Sequence, residues 1–196
     1  MERRTQQERR ETTERALLTA AADLVVETGL RSVTLAEVGR RAGYSRGIVT
    51  HHFGSKQALV SALVRASQAG FVPGVDEVAP GLERLLVLVE RYLGAVGRIG
   101  SLSRAFLVLW AESVASPELG PLFRERDELF RADIVADLEA GRAAGDVRSD
   151  VDPPVVAAIV VAELRGLALQ YLVAPDSIDP ATAGRALRAH WQAVLS

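Results

Sequence analysis

Between residues 34 and 59 the chain reads TLAEVGRRAGYSRGIVTHHFGSKQAL, with a hydroxyl residue at 34, 45 and 55 and glycine at 43 and 54. Serine and threonine satisfy the open amides at a helix start, and glycine takes the left-handed backbone that ends one. The spacing cuts the stretch into two helices of about eight residues and the start of a third. Helices so short cannot stand alone, because nucleation outweighs the few hydrogen bonds they make. They must be braced by neighbours. Leu35, Val38 and Ala42 give the first an apolar side, and Ile48 and Val49 are expected to turn inward from the second. Two such helices joined by Gly43-Tyr44 predict a helix-turn-helix. Thr34 and Glu37 stand at the spacing of a reciprocal capping box.

The rest of the chain also reads as helix, so the expected fold class is all-α. Leu17, Ala20, Ala21, Leu24 and Val25 recur at helical spacing before Gly29. Further helical segments are expected over residues 55–69, 82–97, 102–115, 121–144 and 153–172, and over the closing TAGRALRAHWQAVL. No strand alternation and no internal repeat is present. FVPGVDEVAPG, residues 71–81, is the one obvious seam. The expected division is a disordered basic arm over 1–10 with Arg3, Arg4, Arg9 and Arg10, a helix-turn-helix domain over 11–54, a connecting helix over 55–70 and a larger helical domain over 80–196.

Composition narrows the function. The 196 residues include no cysteine, which excludes disulfides, thiolate metal sites and cysteine nucleophiles. The three histidines, His51, His52 and His190, make neither an acid–base set nor a helical metal pair, so no metal and no cofactor is expected. No GxSxG and no phosphate loop points to an enzyme. No run of about 18 apolar residues is evident, so no membrane partner is expected. The first residues lack the apolar core of a signal peptide, and a soluble cytoplasmic protein follows as the expectation. Residues 1–70 hold 11 Lys and Arg against 7 Asp and Glu, while the remainder holds 12 against 18. Only the front is expected to meet a polyanion.

The second short helix has the residues for that meeting. Ser45, Arg46 and Gly47 keep its start small and polar, so its open amides can approach phosphate. Arg46, Gly47, Thr50 and His51 are expected to face outward. Arg46 can bond guanine edges or phosphate, and Thr50 a thymine methyl or phosphate. His51 is expected to face phosphate, with His52 beside Phe53. Lys56, the one lysine of the chain, is expected to clamp a phosphate, and Thr34 and Arg41 complete the DNA-facing set.

These residues resemble the tetracycline-repressor (TetR) family of bacterial regulators. The family pattern is a helix ending in E-x-G, then T-hydrophobic-x-x-[IV]-A-x-x-A-G-hydrophobic-S-x-G-small-[LI]-Y-x-[HY]-F-x-[SN]-K-x-x-L. Here Glu27-Thr28-Gly29 is followed by Thr34 through Leu59 in that register. Two positions depart: Gly39 stands for the usual Ala, and Thr50 for the usual Tyr. The resemblance implies about nine helices, the first three and the start of the fourth binding DNA, and a C-terminal domain that holds a small effector and forms a homodimer.

In that C-terminal part the expected effector lining is Tyr92, Arg104, Phe106, Trp110, Phe130, Glu163, Gln170 and Tyr171, which favours a hydrophobic or amphipathic ligand. Glu163 is expected to pair with Arg165 or a nearby arginine, or to face the ligand. The dimer is expected to form through the last two helices, at Val156, Ile159, Val160, Leu164, Leu167, Leu187 and Val194. The leading function is a repressor that an effector releases from a palindromic operator by shifting the helix of residues 55–69. A regulator without an effector, an activator and a small helical enzyme are the alternatives.

Overall fold

A computed structural model describes residues 5–67, 72, 74–98 and 100–196. Among them there are nine α-helices and no strand: α1 (Gln6–Thr28), α2 (Leu35–Ala42), α3 (Arg46–Phe53), α4 (Lys56–Ala66), α5 (Leu82–Val96), α6 (Ser101–Glu112), α7 (Leu119–Ala144), α8 (Pro153–Val173) and α9 (Pro180–Leu195). Side-chain caps start most of them. Thr5 and Glu8 form a full capping box on α1. Asp152 and Asp179 cap α8 and α9, each followed by a proline whose missing N–H suits the first turn. Helix thus begins at Gln6, inside the stretch expected as a disordered arm, and takes in Arg9 and Arg10. Arg3 and Arg4 lie outside the described residues, as do positions 68–70 of the expected connecting helix and 71 and 73 of the expected seam.

The chain divides into two compact units. The first holds residues up to 69 together with 100–122, and the second 70–99 with 123–196. α6 therefore belongs with the N-terminal helices, not with the C-terminal domain to which its position in sequence assigned it. In the first unit α1 packs on α2, α4 and α6. Leu17, Leu24, Val38, Val49, Leu59, Leu63, Phe106 and Leu109 are all buried there. In the second unit α5 lies against α9 and α8. Leu85, Leu86, Val89, Leu93, Ile134, Leu138, Val160, Leu164 and Trp191 form that core. A Cβ at Gly184 would sit 2.8 Å from the Glu90 carbonyl oxygen, so α9 meets α5 where only glycine fits without a shift.

α8 is apolar on both faces. Val156, Ala157, Val160, Val161, Leu164 and Ala168 are buried, whereas Val155 and Ile159 are 53% and 44% exposed. Three residues expected at a dimer face, Val156, Val160 and Leu164, thus point into their own unit. The exposed stripe is Val155, Ala158, Ile159 and Ala162, with Val194 of α9 also exposed. Leu167 and Leu187 are half-buried. The same two-sided character makes α8, by length and composition, apolar enough to cross a membrane, which the sequence reading did not anticipate.

Candidate nucleic-acid interface

The helix-turn-helix forms as the caps require. Ser45 accepts from the Ile48 amide at 3.3 Å, and Ser55 from the Ala58 amide at 3.1 Å. Thr34 accepts from the Glu37 amide at 3.1 Å, but the return half of the expected capping box is missing, because the Glu37 carboxylate pairs with Arg40. Gly43 ends α2 at φ 77° in the left-handed region. The Tyr44 amide then donates to the Gly39 carbonyl at 2.8 Å. A Cβ at Gly39 would lie 2.8 Å from the Tyr44 carbonyl oxygen and 3.1 Å from Val49 Cγ2. The glycine that departs from the family pattern therefore admits a close contact that alanine would open.

Val49 is wholly buried, and Arg46, Gly47, Thr50 and His51 are exposed. Ile48, expected to pack inward, is 39% exposed on that same outer surface. A helix of eight residues braced on one narrow side has room for one buried anchor, and Val49 is it. His52 and Phe53 are half-buried with ring centroids 6.1 Å apart. Among the described residues Arg46 has no ion-pair partner, so its guanidinium is available.

Two expected DNA contacts already have partners inside the protein. The Arg41 guanidinium makes a bidentate pair with Glu27, one arm at 2.6 Å, and lies 3.8 Å from Asp23. It fastens α2 to α1 and holds the Glu27 carboxyl below its ordinary pKa through the hydrogen bond. Lys56 Nζ donates to the Leu30 carbonyl at 2.9 Å and reaches that of Arg31 at 3.4 Å. Its ammonium closes the short turn after α1 and retains a third donor.

The residues expected around an effector divide between the units. Arg104, Phe106 and Trp110 sit on α6 in the first unit, where Phe106 is core. Tyr92, Phe130, Glu163, Gln170 and Tyr171 sit in the second. Tyr92 and Phe130 stack at 6.5 Å with planes 18° apart. Glu163 accepts from Trp191 Nε1 at 2.8 Å, not from Arg165. Arg165 is instead paired with Asp127 of α7 at 2.6 Å and is 1% exposed. Burial pushes the Arg165 pKa down and Asp127 opposes this. Burial also pushes the Tyr92 phenol up to about 12.

Asp127 was missed, although its position marked it. Phe123, Asp127, Phe130, Ile134 and Asp137 recur every three or four residues, so two carboxylates stand in the inward stripe of α7. Asp137 takes Arg84 at 2.6 Å and the Gly81 amide at 3.1 Å. Burial raises its carboxyl pKa against both of those bonds.

Residues 17–63 match the model of bacterial regulatory proteins of the tetR family, and residues 81–196 match that of the BetI-type transcriptional repressor C-terminal domain. The HTH-type transcriptional regulator BetI of Cronobacter sakazakii is 32% identical over 119 residues, 56% of this chain and 57% of the relative. The matched region thus spans just over half of that relative's length. Among solved structures, Salmonella enterica GusR superposes with a TM-score of 0.76 at 23% identity, covering 97% of both chains. The SmeT–triclosan complex superposes with a TM-score of 0.82 at 21% identity, covering 94% of this chain and 91% of the other. The matched families are transcriptional regulators, not enzymes. With the N-terminal reading unit and a C-terminal match that alone spans more than half of its residues, the chain belongs to the TetR family of transcriptional regulators.

Proposed function

We propose that the protein is a cytoplasmic homodimeric repressor that binds a palindromic operator and is released by a small, hydrophobic or amphipathic effector. The observation that carries the reading is the capped α3, with Arg46, Gly47, Ile48, Thr50 and His51 exposed around a single buried Val49. Arg46 bonds guanine edges or phosphate, Ile48 meets thymine methyls, and Thr50 and His51 lie along the backbone. The third donor of Lys56 takes a phosphate at the start of α4. Thr34, Ser45 and His52 flank this set, whereas Arg41 braces α2.

The exposed apolar stripe of α8, with α9 beside it, supports the dimer. Val155, Ala158, Ile159 and Ala162 are small enough for close approach of a twin helix. A face that closes on its own copy also accounts for the apolarity of α8 without a bilayer. Two reading units about 34 Å apart then meet successive major grooves. The stacked Tyr92 and Phe130 supply an apolar wall for an effector in the second unit, and a structure of the same fold carries triclosan.

The test is binding to the intergenic DNA upstream of the coding sequence, against a scrambled duplex, across a salt series. Saturation at one dimer per site, with a preference over scrambled DNA that survives physiological salt, is expected. Equal, steeply salt-dependent binding to both duplexes refutes the reading for that DNA.

A further inference from the structure

We propose that a cleft in the first unit, between the end of α1, the start of α4 and the end of α6, is a binding site for a free α-amino acid, held as its zwitterion. Its walls are residues 28–31, Lys56, Glu112 and residues 115–118, all within the first unit. Its volume is about 740 Å³, a size that takes small organic ligands. The effector proposed for the second unit is a different ligand at a different place.

Four charged side chains line the cleft, two of each sign: Lys56 and Arg31, Glu112 and Glu118. They are not spent on one another. Among the described residues neither Arg31 nor Glu112 has an ion-pair partner. Glu118 accepts a long bond of 3.5 Å from Gln57 Nε2. Lys56 Nζ gives two of its three hydrogens to the Leu30 and Arg31 carbonyls, at 2.9 and 3.4 Å, and keeps one. Glu112 is half-buried and reaches back to α1, one carboxylate oxygen 3.5 Å from where a Cβ of Gly29 would stand.

An ion of one sign gains from half of this lining and is repelled by the other half. A molecule that carries both charges complements all of it. Its carboxylate takes the remaining hydrogen of Lys56 and the Arg31 guanidinium. Its ammonium takes Glu112 and Glu118, on the side where α6 ends and its last carbonyls add negative potential. Leu30 and Pro117 leave apolar surface for the ligand's side chain. The hydrogen of Lys56 that meets the carboxylate is the one given to a DNA phosphate in the reading of the chain as an operator-binding repressor, on which this step rests. Amino acid and DNA then compete for a single donor, and the competition is complete within the first unit.

The experiment follows the melting temperature of the full chain while the protein amino acids are titrated in one by one. At least one is expected to raise it by a few degrees, with saturation. No saturable rise with any of them overturns the proposal. For the amino acid that acts most strongly, the amine lacking its carboxylate and the acid lacking its ammonium are expected to give no shift. An equal shift with either overturns the proposal. Glu112→Gln is expected to weaken the amino acid about tenfold and to leave DNA affinity unchanged. Undiminished amino-acid binding in that variant overturns the site. Saturating amino acid is expected to weaken binding to every duplex and to lower the salt slope by about one, the loss of one phosphate contact. Melting shifts with no change in DNA affinity or slope overturn the competition at Lys56. If the chain prefers no duplex when amino acid is absent, the operator reading fails and the melting series still decides the site. If it prefers its operator and no amino acid binds, the site fails and the operator reading stands.

Discussion

Tyr92 is 5% exposed, and burial pushes its phenol up to about 12. In the unfolded chain the same group ionises at about 10. Between those values the folded state holds a proton that the unfolded state has lost. Stability linked to Tyr92 is therefore complete below pH 10 and drains away as pH rises toward 12. In an ultraviolet titration, Tyr92→Phe is expected to lose the last phenolate step and to flatten the alkaline fall in stability. An unchanged final step would assign it to another tyrosine. Asp137 is a buried carboxylate with two donors committed to it. Asp137→Ala leaves the half-buried Arg84 guanidinium and Gly81 amide without their carboxylate, and is expected to cost about 1–3 kcal/mol in denaturant unfolding. Arg84→Met in the same background is expected to recover part of that loss. At the reading surface the residues separate by partner. Arg46→Ala is expected to weaken specific binding by about 1–3 kcal/mol and to relax the preference at one base pair. Lys56→Ala is expected to weaken binding to every duplex, lower the salt slope by about one and also lower the melting temperature, because it frees the Leu30 and Arg31 carbonyls. A Lys56→Ala protein that melts like the wild type would place the ammonium elsewhere.

Among the helices, the packing of α9 on α5 turns on one missing atom. Gly184→Ala gains about 1 kcal/mol of helix propensity. It also drives a Cβ to 2.8 Å from the Glu90 carbonyl oxygen and 3.3 Å from Leu93 Cβ, both too stiff to yield cheaply. The net expectation is a loss of about 1–2 kcal/mol, read from the denaturant midpoint. A stabilised variant would show that the two helices separate easily. Such contacts mark the limit of what the sequence discloses. The reading unit was legible because its information is local: Thr34, Ser45, Ser55, Gly43 and Gly54 dictate where helices start and stop. α8 was not, because an apolar helix on all sides has no phase from which to read its inner face. Val156, Ile159, Val160 and Leu164 were all assigned outward, yet of these four only Ile159 is exposed, with Val155 beside it. Nor could periodicity assign α6 to the first unit, since its apolar stripe fits any partner and only the long-range contact with α1 decides. Asp127 and Asp137 lay between these cases. Their place in the stripe of α7 was visible, and their arginine partners, far away in sequence, were not.

The whole-molecule expectation concerns assembly, and it follows from the two faces of α8. The inner face, with Val160 and Leu164 wholly buried, belongs to the folding of each copy. The outer stripe of Val155, Ala158, Ile159 and Ala162 is exposed, and it is the face proposed for the pairing of copies. A charge placed on one face should therefore do something different from a charge placed on the other. Ile159→Arg is expected to leave helical content intact, halve the mass in sedimentation and remove the concentration dependence of melting. It is also expected to weaken operator binding at least about 100-fold, because a single reading unit loses the effective concentration that the dimer gives its second half-site. Non-specific affinity should fall far less, since the phosphate contacts of each unit survive. Val160→Arg buries an unpaired cation instead, and is expected to abolish folding outright. The two neighbours thus test the assignment against each other. If Ile159→Arg unfolds the chain while Val160→Arg only dissociates it, the faces are reversed. If the wild-type chain is a monomer that still binds its operator tightly, the two-fold reading of the DNA fails with it.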